Sequence, residues 1–145
     1  MKILSFLCIS LLWPPPHAAA AREKVAGIGG FFFRSQNPAA LSQWYLDNLG
    51  VALPPRKFED TPWSQEAGVT NFEPFAMDND YFDLKKGWMV NFRVKNLDAM
   101  VTQLRASGIA VRVEPQTEPN GRFAHLQDPE GNPIELWEPR DPNSK

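Results

Sequence analysis

Residues 88–113, WMVNFRVKNLDAMVTQLRASGIAVRV, contain a strand, a helix and the start of another strand. Trp88, Val90, Phe92 and Val94 alternate with Met89, Asn91 and Arg93, the period of a half-buried strand. Asn96 can then cap a helix whose apolar stripe is Leu97, Met100, Val101 and Leu104, and Gly108 stops it before IAVRV. The same order occurs upstream. An apolar run at 28–33 precedes Asn37 as cap and Pro38 in the first turn, with Leu41, Trp44, Tyr45 and Leu49 on one helical face. Gly50 ends that helix, and a strand-rich stretch follows from Val51 to about Phe75. The two caps stand 59 residues apart and the two terminal glycines 58 apart, the mark of an internal repeat.

The closing segments repeat as well. GVTNFEP at 68–74 and GNPIELWEP at 131–139 both run from Gly to aromatic-Glu-Pro, which sets Thr70 opposite Glu135. The expectation is an α+β domain over residues 25–140, with a short tail at 141–145. Two tandem βαβββ modules form a curved mixed sheet around a cleft, with helices on the outer face and residues 77–87 as the connection. Neither module could cover both faces of its sheet alone. Trp44 and Tyr45 sit at packing spacing and read as core. Asp47, Lys85, Lys86 and Asp98 read as solvated surface.

Composition narrows the function. The chain has 145 residues, 43% of them hydrophobic and 12% aromatic, enough for one core. A net charge of -2 with interspersed acids and bases lacks the basic stripe that a nucleic-acid partner requires. The single cysteine, Cys8, lies in the N-terminal apolar stretch, leaving the domain without a thiol for a disulfide, zinc or nucleophilic chemistry. Residues 1–21 place Lys2 before an apolar run and then a small-residue stretch, the order of an export signal too short for a stable membrane anchor. The domain would then be periplasmic or secreted. A non-native extension would instead leave it cytoplasmic.

With DPEGNPIELW at 128–137, NFRVKNLDAM at 91–100 and GIGGFFFRSQNPAALSQWYLDNLG at 27–50, the sequence resembles the vicinal oxygen chelate superfamily of glyoxalase I, bleomycin- and fosfomycin-resistance proteins and extradiol dioxygenases. DPEGN also has a local role, since Asp-Pro starts a tight turn that Gly131-Asn132 closes. The resemblance implies a divalent metal held from the first and last strands of each module. Its positions fall on Gly30, Met89 (or Asn91 at the adjoining register), Thr70 and Glu135, and only Glu135 is an ordinary ligand. No cofactor is therefore expected with confidence, and a divalent metal is disfavoured. A metal site would have to recruit His125, which alternation in FAHLQ turns toward the cleft with Phe123 and Gln127.

The resemblance and strand parity together nominate Glu135 and His125 as an acid–base pair, and Phe32, Met89, Asn91, Arg93 and Trp137 as ligand-binding residues. Glu135 is expected either to transfer protons or to act as a binding anion beside a cation, for which Arg93 on the same strand face as Met89 and Asn91 is the candidate. Phe32 and Trp137 offer flat faces for an aromatic or cationic ligand, and Trp88 belongs to the core. Three functions stay open at this point. The domain binds a small organic molecule without metal, as bleomycin-resistance proteins do by sequestration. Alternatively it is a lyase, isomerase or dioxygenase using Glu135 and His125. In the third reading it is a non-catalytic module that forms homodimers through free sheet edges.

Overall fold

The computed structural model describes residues 23–140. Residues 1–22 and 141–145, which include the expected export signal, Cys8 and the tail, lie outside the described residues. The chain divides into a first unit ending at Phe32 and a second beginning at Phe33. The described part of the first unit, residues 23–32, is exposed coil.

The second unit holds α1 (Pro38–Leu49), β1 (Val90–Arg93), α2 (Leu97–Ala106), β2 (Arg112–Val113), β3 (Gly121–Gln127) and β4 (Pro133–Pro139). The strands form an open mixed sheet in the order β1-β4-β3-β2, so the fold is α+β. β1 runs parallel to β4, while β3 is antiparallel to both β4 and β2. From β1 onward the chain is one complete βαβββ unit.

Both helices begin and end where their caps require. The side chains of Asn37 and Asn96 accept from the amides of Ala40 and Ala99, and Pro38 opens α1 where no amide donor is needed. Gly50 and Gly108 adopt φ of 69° and 78°, a left-handed conformation that costs a side-chain-bearing residue about 1–2 kcal/mol. Leu41 and Tyr45 of α1 and Leu97, Val101 and Leu104 of α2 pack with Val111, Ala124, Leu126, Ile134 and Leu136. Leu97, Leu104, Ile134 and Leu136 are fully buried, each contributing roughly 1.5–3 kcal/mol of burial. Trp44, Leu49, Val90, Phe92 and Met100 complete this layer. Trp88 is half-buried and packs its ring against Phe33 at 4.8 Å.

The first half departs from the repeat. Its helix forms, but the strands expected at 28–33 and between 51 and 75 do not, and among the described residues no ladder forms there. Pro54, Pro55, Pro62 and Pro74 supply no amide donor to a ladder, and Val69 and Phe72 are exposed instead of paired. Among the described residues, the sheet belongs to the second module.

The turn between β3 and β4 joins the sheet to α1. Asp128 is buried, and its Oδ1 accepts from the amides of Glu130 and Asn132, both at 2.9 Å. Its Oδ2 accepts from Asn132 Nδ2 at 2.8 Å and from the Tyr45 hydroxyl at 3.0 Å. Burial, reinforced by the Asp128 carboxylate, pushes the Tyr45 phenol well above its ordinary value. Glu130, the next acid of the turn, accepts from Ser35 Oγ and from the amides of Gln36 and Asn37 at the start of α1. Those donors hold its carboxyl below the usual range, led by the Asn37 amide. Lys86, expected on the solvated surface, is half-buried and reaches the Glu130 carbonyl at 3.3 Å.

Asp128→Ala leaves four donors without their acceptor and should lower the unfolding free energy by about 3 kcal/mol. Tyr45→Phe should cost only about 1 kcal/mol. Urea denaturation should show both as shifted midpoints with an unchanged slope.

Candidate functional site

Strand register assembles the site. Glu135 on β4 is paired with Asn91 on β1 and with His125 on β3, and His125 is paired with Arg112 on β2. Since facing residues of paired strands share a side, Asn91, Glu135, His125 and Arg112 form one row across all four strands. Arg93, Trp137 and Phe123 form the next row. The intervening residues Val90, Phe92, Ala124, Leu126, Ile134 and Leu136 occupy the helix-covered side. The row therefore lies on the face opposite the helices.

Glu135 is only 5% exposed, and both of its oxygens are engaged by neutral donors. The Tyr81 hydroxyl donates to Oε1 at 2.5 Å, and the Asn91 side-chain amide donates to Oε2. Tyr81 comes from the connection before β1, and its ring stands edge-on to His125 with centroids 5.7 Å apart. Burial, followed by the bond to Glu135, raises the Tyr81 phenol above its ordinary value and keeps it a donor.

His125 Nε2 lies 3.7 Å from Glu135 Oε1 and 3.1 Å from Glu114 Oε1. Neither contact is aligned as a hydrogen bond, and this buried nitrogen has no hydrogen-bond partner among the described residues. Arg112 donates to the same Glu114 oxygen at 2.6 Å. Burial lowers the His125 pKa below 6.5, helped by Arg112 and opposed by Glu135 and Glu114. The imidazole is therefore neutral at pH 7, able to accept or donate one proton in a hydrogen bond.

The other nominated residues are placed as follows. Met89 borders an open cleft of about 730 Å³ together with Tyr81, Arg112, His125 and Gln127. Arg93 shares the face of Glu135, but its guanidinium donates to the carbonyls of Glu66 at 2.7 Å and Ala67 at 3.2 Å. Trp137 is buried, with its indole donating to the Asn120 carbonyl at 3.0 Å and its ring parallel to Phe123 at 6.2 Å. Phe32 is 93% exposed and belongs to the first unit. Among the described residues, no group of three or more His, Cys, Asp or Glu side chains is placed to hold a metal ion. No helix among them is long and apolar enough to cross a membrane.

Sequence reasoning missed Tyr81, Arg112 and Glu114. Alternation in IAVRV puts Arg112 on the side away from Val111 and Val113, but only the β2–β3 register brings it beside His125. Tyr81 carries no periodic signal, because it lies outside every helix and strand.

The sequence model described as a glyoxalase-like domain matches residues 30–137. The chain belongs to the glyoxalase-like domain family. This places it in the vicinal oxygen chelate superfamily that its motifs resemble. Among solved structures, the glyoxalase-like domain is similar to TnmS3, an antibiotic binding protein from Streptomyces sp. CB03234, at 22% identity and a TM-score of 0.55, covering 82% of this chain and 100% of that one. A glyoxalase/dioxygenase from Nostoc punctiforme matches at 18% identity and 0.50, covering 83% and 100%. A glyoxalase/bleomycin resistance protein from Streptomyces sp. CB03234 is 34% identical over 36% of this chain, with a TM-score of 0.32, and the match spans 46% of that protein's length. No curated protein matches the chain.

The lowered pKa of His125 makes stability depend on pH. Below pH 6.5 the unfolded chain takes up a proton that the folded domain refuses, so the unfolding free energy should fall as pH falls, until His125 titrates in the fold. Glu130, held below 4.5, enters only at lower pH. Denaturation series across this window should show that slope, and His125→Gln should flatten it.

Proposed function

We propose that this glyoxalase-like domain captures a small organic molecule on the face carrying Glu135, and that it does so without a divalent metal. The observation that carries the proposal is the state of Glu135. It is the one ordinary ligand among the positions implied by the family, and both its oxygens are already bonded to Tyr81 and Asn91. The remaining positions, Gly30, Met89 and Thr70, supply no side chain, a soft thioether and a neutral hydroxyl, a donor set that does not fit a hard or borderline divalent ion. An open cleft bordered by Tyr81 and His125, the two rings beside Glu135, combines apolar walls with a few polar groups, the ordinary composition of a ligand pocket, although Glu135 itself is not in its lining. TnmS3 being an antibiotic binding protein adds a precedent for capture on this fold.

A second reading rests on His125. Its neutral, unpartnered Nε2 beside Glu135 is a base next to a carboxylate, an arrangement that can move a proton on a bound molecule. Binding comes first in either case. Export of the domain, and its pairing into a homodimer, are further proposals that stand on the sequence pattern.

Thermal-shift screening with small aromatic compounds should return ligands, and Met89→Ala should weaken the best of them several-fold. Zn, Ni, Mn and Fe(II) should bind at well below one equivalent. Stoichiometric metal that disappears in Glu135→Ala would overturn the metal-free reading. N-terminal sequencing of the mature protein should begin near residue 21 or 22, and an intact Met1 would refute export.

A further inference from the structure

The two donors on Glu135 differ in how they are held. Asn91 stands on β1, opposite Glu135 in a continuous ladder, and is fixed by the sheet. Tyr81 is 47% exposed and sits on a connection with no helix or strand. Its local supports are a hydrogen bond from its backbone amide to Asn79 Oδ1 at 2.9 Å and edge contact with Phe75. Yet its hydroxyl reaches a nearly inaccessible carboxylate at 2.5 Å, the short end of a charge-assisted hydrogen bond.

The arrangement resembles a bound ligand. A flat ring enters the cleft wall, lies edge-on to His125 and directs a hydroxyl at Glu135 Oε1. Among the described residues, the guanidinium groups on this face are engaged elsewhere, Arg93 with loop carbonyls and Arg112 with Glu114. A donor that satisfies a buried carboxylate is therefore worth more here than at an exposed one.

We propose that Tyr81 is a built-in occupant of a phenol-binding seat, and that the natural ligand carries an aromatic hydroxyl that displaces it and bonds to Glu135 in its place. This rests on the reading of the Glu135 face as a capture site. It narrows that reading to hydroxylated aromatic molecules and makes Tyr81 the residue that sets their threshold. A ligand must compete with the protein's own phenol, so its apparent affinity is reduced by the fraction of molecules in which Tyr81 is seated.

The experiment uses the full chain, with 4-methylphenol and toluene as probes in calorimetric or NMR titrations. Tyr81→Ala should bind 4-methylphenol about tenfold or more tighter than the unmutated protein, as expected for a regained hydrogen bond to a charged group. Toluene, which lacks the hydroxyl, should show no such gain, and Glu135→Gln added to Tyr81→Ala should remove it. Tyr81→Phe keeps the ring but loses the bond to Glu135 that holds it in the seat, and should bind 4-methylphenol more tightly than the unmutated protein and less tightly than Tyr81→Ala. Equal gains for both probes, or no gain in a folded Tyr81→Ala, would overturn the proposal. Without any variant, saturating 4-methylphenol should shift the Tyr81 and His125 ring resonances of the unmutated protein, and unmoved resonances would also overturn it. Hits from the broader screen combined with no 4-methylphenol gain would reject the phenol seat while leaving small-molecule capture intact.

Discussion

A buried carboxylate is costly unless its lone pairs are filled, and Asp128 fills its own with four donors drawn from two parts of the unit. Three of them close the turn that reverses β3 into β4. The fourth, the Tyr45 hydroxyl, belongs to α1, so the helix that begins the repeat is fastened to the turn that ends it. Glu130, two residues further on, repeats the device by capping the entry to α1. With β3 and β4 registered by this turn, Glu135 faces His125, and the later rows follow. A one-residue slip would send Glu135 into the apolar layer and Leu136 out of it.

The candidate site depends on that registration more than on any loop. Its central row contains one residue from each of the four strands, and the ladder fixes all three spacings between neighbouring strands before any side chain is considered. On the opposite side the alternate residues are packed under α1 and α2. The same alternation thus pays for the polar face by burying the apolar one. What comes from outside the sheet is Tyr81, held at the row by its bond to Glu135.

Charge on the polar face is arranged sparingly. Two carboxylates, Glu135 and Glu114, flank an imidazole that burial keeps neutral, and the nearby guanidinium of Arg112 is paired with Glu114. Glu135 is left to neutral hydrogen-bond donors. A carboxylate satisfied in this way is a strong acceptor with fixed geometry, suited to selecting a hydroxyl by position.

The sequence by itself determined both helices with their caps, the βαβββ order of the second half, the turn at 128–132 and the family, because capping, periodicity and turn chemistry are local and leave residue-type signatures. Alternation also placed Glu135, His125 and Asn91 on one face. Tertiary structure decided which residues that face actually engages. Arg93 has the right parity to pair with Glu135 but bonds to carbonyls 26 and 27 residues earlier, and Trp137 is committed to Asn120 and Phe123. Tyr81 and Arg112 arrive through a coil and a register that no local pattern encodes. The proline-interrupted stretch between residues 51 and 75 has the apolar content of strands, yet a strand exists only where a partner's amides and carbonyls meet it, and that pairing is a property of the folded chain.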